Sequence, residues 1–286
     1  MYRQPIGPQI IGGVLDSGFN LFRECLSKVF VLAVVASLIT LPVNLLAPVF
    51  MENPPTLGII PVVVCGLIVM GILVTAFNGA IIARIDSIAR GAPLSMRDSL
   101  SIGFRRLPAT ILSGLVFSFG AGLLMIPGLI LISLFLPSIA QAGTGVVWRL
   151  LASLIVLLGP VSAYAVWFVF APSAVIVDRL GPIRSLSYSR TIVHGRWWRT
   201  AALLTMLGIV FIALYVLVGM VAGIVFALGA SVSVAGQLPW YFQLILGPFV
   251  SAIAVPLMYS LLLSIYYDLK TRYEGGDLAA RIAATA

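Results

Sequence analysis

Charge is scarce in this chain. Charged side chains make up 9% of its 286 residues, against about 25% in an ordinary soluble domain. Histidine occurs once, at His194, and cysteine twice, at Cys25 and Cys65. Each scarcity excludes something. So few charges cannot solvate a water-facing surface, so a soluble globular domain and a disordered chain are both out. Two cysteines 40 residues apart have neither zinc nor redox spacing and make no disulfide framework. A lone histidine with no nearby carboxylate pair is a poor general base or metal ligand. Phosphate-loop, nucleophile-elbow, zinc-protease and dinucleotide fingerprints are all missing. No catalytic residue, cofactor or metal is expected.

What is present is apolar. Hydrophobic residues are 61% of the chain and mean hydropathy is +1.14. About 20 apolar residues cross the roughly 30 Å of bilayer hydrocarbon as a helix. Charge-free stretches run from Lys28 to Glu52, Glu52 to Arg84, Arg106 to Arg149, Arg149 to Asp178 and Arg199 to Asp268. The last is long enough for two spans, with a turn at Ala235-Gly236-Gln237-Leu238-Pro239. These stretches predict an all-α integral membrane protein with six spans, at 29–49, 57–83, 108–136, 146–171, 201–228 and 242–266. The third stretch is too long for one straight span. Pro127-Gly128 interrupts it, which leaves a kinked continuation or a segment over 129–136 that bends away from the membrane normal.

The net charge is +8, but the basic residues sit in short links between apolar spans. Membrane topology explains them better than nucleic acid does. Every Lys and Arg except Arg149 falls on one side of the six-span arrangement. By the positive-inside rule both termini are expected in the cytoplasm of a bacterial inner-membrane protein, with no cleavable leader. Trp148 and Trp240 suit an outer aromatic belt. Trp197, Trp198, Tyr266 and Tyr267 suit an inner one.

An amphipathic segment precedes each odd-numbered span. The first, Ile11–Glu24, carries Asp16, Asn20, Arg23 and Glu24 on one side and Ile11, Val14, Leu15, Phe19 and Phe22 on the other. The second, Arg97–Arg106, repeats the Leu-x-x-Gly-Phe string of residues 15–19 at 100–104. The third, Ile183–Arg190, has Ser189 where that glycine stood. Three copies of one unit are therefore expected over 9–84, 95–172 and 182–270, each an interfacial helix and a helix pair. They would form a single membrane domain over 1–286, ending in a short cytoplasmic tail over 271–286.

The tail Tyr266-Tyr267-Asp268-Leu269-Lys270-Thr271-Arg272-Tyr273-Glu274-Gly275-Gly276-Asp277 resembles the ending of a bacterial membrane-domain family. So do Ser185-Leu186-x-x-Ser189 followed by Gly195-Arg196-Trp197-Trp198, and Pro127-Gly128 after the third span. That family includes YciC-like inner-membrane proteins and the membrane domain found in some glycerophosphodiester phosphodiesterases. The resemblance implies the six-span fold. It carries over no catalytic residue, and no phosphodiesterase domain is expected after the last span. The stretch from Pro127 to Pro172 is longer than the family pattern.

Candidate contact residues remain. Arg196, Trp197, Trp198 and Arg199 join guanidinium groups to indoles at the inner interface, as do, without indoles, Arg105 with Arg106 and Arg23 with Lys28. They suit span anchors or anionic-lipid headgroup contacts. Gly79 lies on a small-residue face with Thr75 and Ala83, and Gly219 and Gly223 on another with Ala227. Such faces bring helices close, within the chain, to a second copy or to a membrane-protein partner. Asn44 and Asn78 are interhelical hydrogen-bonders or pore-lining groups. Spans without ionisable residues argue against ion-coupled transport. The leading expectation is a non-enzymatic scaffold or accessory subunit contacting envelope proteins or anionic lipid. The alternative is a permease or exporter for an apolar or amphipathic solute, a peptide or a lipid.

Overall fold

A computed structural model describes residues 9–52, 58–135, 144–229 and 240–285. Among them the chain forms eight helices and no strand: α1 (Ile11–Glu52), α2 (Ile60–Ala89), α3 (Met96–Phe135), α4 (Thr144–Phe168), α5 (Ala171–Val177), α6 (Pro182–Val193), α7 (Trp197–Gly229) and α8 (Trp240–Thr285). Six segments are long and apolar enough to cross a membrane: Ile11–Val43, Ile60–Ala89, Met96–Phe135, Val147–Val177, Trp197–Val221 and Gly247–Gly275. The protein is a multi-pass helical membrane protein. Its many Val and Ile residues are no obstacle, because in hydrocarbon every backbone group must be bonded within its own segment.

The starts of several helices are written locally. Ser95 and Asp98 cap α3 reciprocally: the Asp98 N–H donates to Ser95 Oγ at 3.1 Å, and that hydroxyl donates to Asp98 Oδ2 at 2.6 Å. Proline opens α2, α5 and α6, where its missing N–H has no partner to lose. The fourth span is built from α4 and α5, interrupted just before Pro172.

Two expectations change here. The amphipathic segments at 11–24 and 97–106 are not separate elements. They are the first turns of α1 and α3, continuous with the spans. Only the third, α6, is its own helix, cut from α7 at Gly195, whose φ of 77° suits glycine. The stretch through Pro127-Gly128 is likewise continuous: α3 runs through both Pro108 and Pro127 to Phe135. A bend at the start of 129–136 is thereby replaced by a helical continuation, and residue 136 lies outside the described residues.

The helices pack unevenly along their length. α1 has 42 residues and α8 has 46, so each is more than 60 Å long at about 1.5 Å per residue. The buried core is gathered at the end where the arginines lie, called the basic end below. α1 contributes Val14, Leu21, Cys25, Val29 and Leu32 at helical spacing, α2 contributes Ile81, Ile82 and Ile85, and α8 contributes Leu261, Leu263, Ile265 and Tyr266. α8 is central, with 67% of its most apolar window buried, against 6% in α2 and α3. α1 packs along α8 and α2, α3 packs on α2 and α4, and α7 touches the rest mainly through α8 and α4. Away from the basic end, apolar side chains such as Val62, Phe119, Ile155 and Ile212 point outward, as lipid-facing residues do.

Candidate functional site

The site is built where six helix ends meet. Each even-numbered span has an aspartate near its basic end: Asp86 within α2, Asp178 just after α5 and Asp268 within α8. None is left bare in this apolar setting. Asp268 is 2% exposed and accepts from Arg199 Nη2 at 3.0 Å, from Arg272 Nε at 3.0 and 3.1 Å, and from the Gln9 backbone N–H at 2.9 Å. Arg199 and Arg272 also donate to the Gln9 carbonyl. Asp178 accepts from the Tyr266 hydroxyl and from Lys270 Nζ. Asp86 accepts from the Tyr267 hydroxyl and, at 2.9 Å, from Arg90 Nε. A buried carboxylate costs several kcal/mol unless paired and bonded, and these contacts supply the pairing.

Groups at its edge respond accordingly. Burial opposes the Arg90 charge, but the Asp86 carboxylate and its hydrogen bond win, and the guanidinium pKa is raised. Burial, helped by the neighbouring Asp178 charge, pushes the Tyr188 phenol up, so it stays neutral. Among the described residues no group of three or more His, Cys, Asp or Glu is placed to hold a metal.

Around this closed cluster runs a basic rim with two hollows. The first, about 400 Å³, is lined by Ile102, Arg105 and Arg106 of α3 and by Arg179. Arg106 Nη1 donates to the Arg179 carbonyl at 3.2 Å. Arg179 has a φ of 55°, a left-handed conformation unusual for a residue with a side chain. The second hollow, about 450 Å³, is lined by Gly195, Arg196, Trp197, Trp198 and Arg199. Trp197 and Trp198 meet edge to face at 4.7 Å, and Trp198 is 81% exposed. Trp197 Nε1 and Arg199 Nε are buried with no hydrogen-bond partner among the described residues.

The expected contact residues separate into groups. Arg105 and Arg106 line a hollow, as do Arg196, Trp197, Trp198 and Arg199. Arg199 donates to Asp268 and to the Gln9 carbonyl. Arg196 Nη2 donates to the Arg272 carbonyl at 3.2 Å. Arg23 and Lys28 are exposed on α1 and line neither hollow. Tyr266 and Tyr267, expected in an aromatic belt, are instead buried beneath the rim because their hydroxyls serve Asp178 and Asp86.

Gly79 is at a true helix crossing: a β-carbon there would lie 3.3 Å from Gly103 Cα. Gly219 and Gly223 are not, since a β-carbon at either meets nothing within 4 Å. Their expected contact is therefore not made with described residues of this chain, because α7 stands at the edge of the bundle. Gly128 packs directly on Leu157 of α4, with a β-carbon 2.4 Å from its Cα, so the Pro127-Gly128 position is a tight contact. Asn78 is half-buried in α2; the Asn44 side chain lies outside the described residues.

Sequence reasoning missed the three aspartates and the role of Arg179. The signal was present: an acid follows each even-numbered apolar stretch within a few residues, in Ile85-Asp86 (after Arg84), Val177-Asp178 and Tyr267-Asp268. No family model, curated protein or solved structure matches this chain.

Proposed function

We propose that this chain is a non-enzymatic multi-pass protein of a bacterial inner membrane, a scaffold or accessory subunit. Its basic rim would engage anionic lipid headgroups or an acidic region of an envelope-protein partner. The observation that carries this reading is how charge is divided at the basic end. Asp86, Asp178 and Asp268 are neutralised within the chain, while Arg105, Arg179 and Trp198 are exposed on the rim above them. A closed acidic core under an open cationic rim leaves a surface suited to an external anion. The positive-inside rule then sets that surface, with both termini, in the cytoplasm.

Three-unit organisation is part of the proposal and has two supports. The small residue of each amphipathic segment is packed on an even-numbered span: Gly18 on Leu261 of α8, Gly103 on Ala76 and Ala80 of α2, and Ser189 on α4, where its hydroxyl donates to the Trp167 carbonyl at 2.8 Å. Each unit thus leans on the second span of the unit before it, in cyclic order. An aspartate near the basic end of each even-numbered span recurs at intervals of 92 and 90 residues, close to the 85 and 86 that separate Gly18, Gly103 and Ser189. Kinship with YciC-like membrane proteins rests on the tail resemblance, whose Tyr266, Tyr267, Asp268, Lys270 and Arg272 all belong to the buried cluster.

The test is purification from native membranes in mild detergent, with mass spectrometry of what co-elutes. The unpartnered small face of α7 predicts a stoichiometric protein partner, or a second copy, that Gly219→Leu with Gly223→Leu releases. A lone chain carrying bulk lipid in native proportions overturns the proposal. A second reading, a permease for an apolar or amphipathic solute, is favoured by one feature. An almost wholly apolar groove of about 730 Å³ opens between α1 and α2, lined by Ile39, Pro42, Val43, Val62, Cys65 and Leu73 among others. Solute flux from proteoliposomes, blocked by Gly66→Trp, tests it.

A further inference from the structure

The hollow lined by Arg105, Arg106 and Arg179 brings together residues from chain segments 73 positions apart. Three arginines and one isoleucine line it, and no acid is among these described lining residues. Like charges gathered this way repel, and the nearby Asp178 cannot relieve them because it is held by Tyr266 and Lys270. Arg179 is the one non-glycine residue with positive φ among the described residues, and left-handed backbone at a residue with a side chain persists only where its surroundings hold it. Two contacts hold it: the Leu180 N–H donates to the Ala174 carbonyl at 3.3 Å, closing the end of α5, and the Arg106 guanidinium donates to the Arg179 carbonyl. That bond spends one Arg106 nitrogen and ties the two elements across the mouth. The exposed Arg105 and Arg179 side chains are left over it.

We propose that this hollow is a phosphate-binding site, and that its occupant is the phosphate of an anionic glycerophospholipid headgroup. The proposal rests on the membrane-scaffold reading above and names the ligand and residues of one site on its basic rim. Guanidinium donors arranged as forks match phosphate oxygens two at a time, which ammonium groups do not. Position selects the lipid over a soluble phosphate. Arg105 and Arg106 lie where α3 passes into its apolar stretch at Leu107, the level at which headgroup phosphates sit, and Ile102 supplies an apolar wall. A hollow of about 400 Å³ admits a phosphate with a small polar substituent.

The experiment uses the full-length protein in mild detergent. Native mass spectrometry measures retention of phosphatidylglycerol against phosphatidylcholine of the same chains, with inorganic phosphate as a third probe. Wild type should retain phosphatidylglycerol about tenfold better than phosphatidylcholine, and Arg179→Gln should remove most of that preference, the loss of one charge-assisted contact. Arg105→Gln should do the same, which covers the case in which the position-179 variant fails to fold. Arg179→Lys should recover only part, because it restores charge without the fork. Arg184→Gln changes net charge equally on the exposed surface of α6 and should retain the preference. Equal losses in Arg184→Gln and Arg179→Gln would mean a diffuse charge effect and overturn the site. Protection by inorganic phosphate as good as by phosphatidylglycerol would overturn the lipid assignment. If Arg179→Gln still co-purifies a protein partner after losing lipid preference, this site and the partner face are separate. If the partner persists and no variant changes lipid retention, the site fails while the scaffold reading stands.

Discussion

A β-carbon at Gly103 would lie 2.3 Å from the Ala76 carbonyl oxygen and 2.9 Å from the Ala80 nitrogen. Backbone atoms cannot rotate away, so Gly103→Ala forces α2 and α3 apart. We expect a loss of about 1–3 kcal/mol, as for overpacked cores, read as a lower unfolding temperature in detergent. Gly219→Ala is the contrast: with open space around it, it should leave that temperature unchanged. A comparable fall in both variants would show that the crossing is not what Gly103 provides. Asp268 makes the opposite argument. It is 2% exposed between Arg199 and Arg272, so Asp268→Ala leaves two partly buried guanidinium groups facing each other. Removing one partner of a buried pair costs about 3–5 kcal/mol. The Asp268→Ala and Arg199→Ala losses should then be far from additive in a double-mutant cycle, and additive losses would dissolve the proposed coupling.

Among the helices, α7 and α8 carry contrasting duties. α8 is the buried post of the bundle, and Ser264 Oγ even donates to the Val14 carbonyl of α1 at 2.7 Å. α7 turns Tyr215, Val216, Leu217 and Met220 outward, and a β-carbon at Gly208, Gly219 or Gly223 would meet no described neighbour. The membrane-crossing stretches of both are strongly apolar, so hydropathy could not tell the post from the edge. The contrast predicts different responses to bulk. Gly128→Leu in α3 should separate α3 from α4, because Leu157 already touches the glycine. Cysteines placed at the two helices should then lose their cross-link. Gly223→Leu should leave every intrachain cross-link intact and alter only association with another chain. Loss of intrachain cross-links in Gly223→Leu would contradict the edge placement of α7.

For the molecule as a whole, the buried core of the described residues is gathered at the basic end. The ends rich in Arg converge: Gln9 meets Asp268, Arg196 meets Arg272 and Arg106 meets Arg179. Arg149 stands away from them, over the Phe135 ring at 5.9 Å. If the proposed orientation is right, a green fluorescent protein fused after the last residue should fluoresce, and alkaline phosphatase fused there should be inactive. The reverse pair of results would place the basic rim outside the cell. A surface that gathers cations while burying its own acids also predicts weaker lipid retention as salt rises, since exposed charges are screened within about 10 Å at 0.1 M.

Span number was legible in the amino-acid sequence because hydrocarbon permits few solutions: long charge-free runs must form helices, and the six expected spans overlap the six observed ones. The asymmetry of Lys and Arg was legible for a similar reason, being a property of one residue type counted along the chain. The glycine of the Leu-x-x-Gly-Phe strings was visible as a repeat, but not as a crossing, since a missing side chain acquires meaning only from the backbone that fills its place. Tyr266 and Tyr267 read equally well as belt residues or buried ones. Arg199 read as a free cation until Asp268 stood beside it. Arg179 looked like one more loop arginine. Pairing between residues 69, 73 or 88 positions apart depends on which helix ends meet, and hydropathy does not encode that. Composition and periodicity alone therefore set the membrane, the spans and the charged side. Tertiary structure decided which charges are spent on one another and which remain for something else, because neutralisation is a matter of distance between atoms rather than of order along a chain.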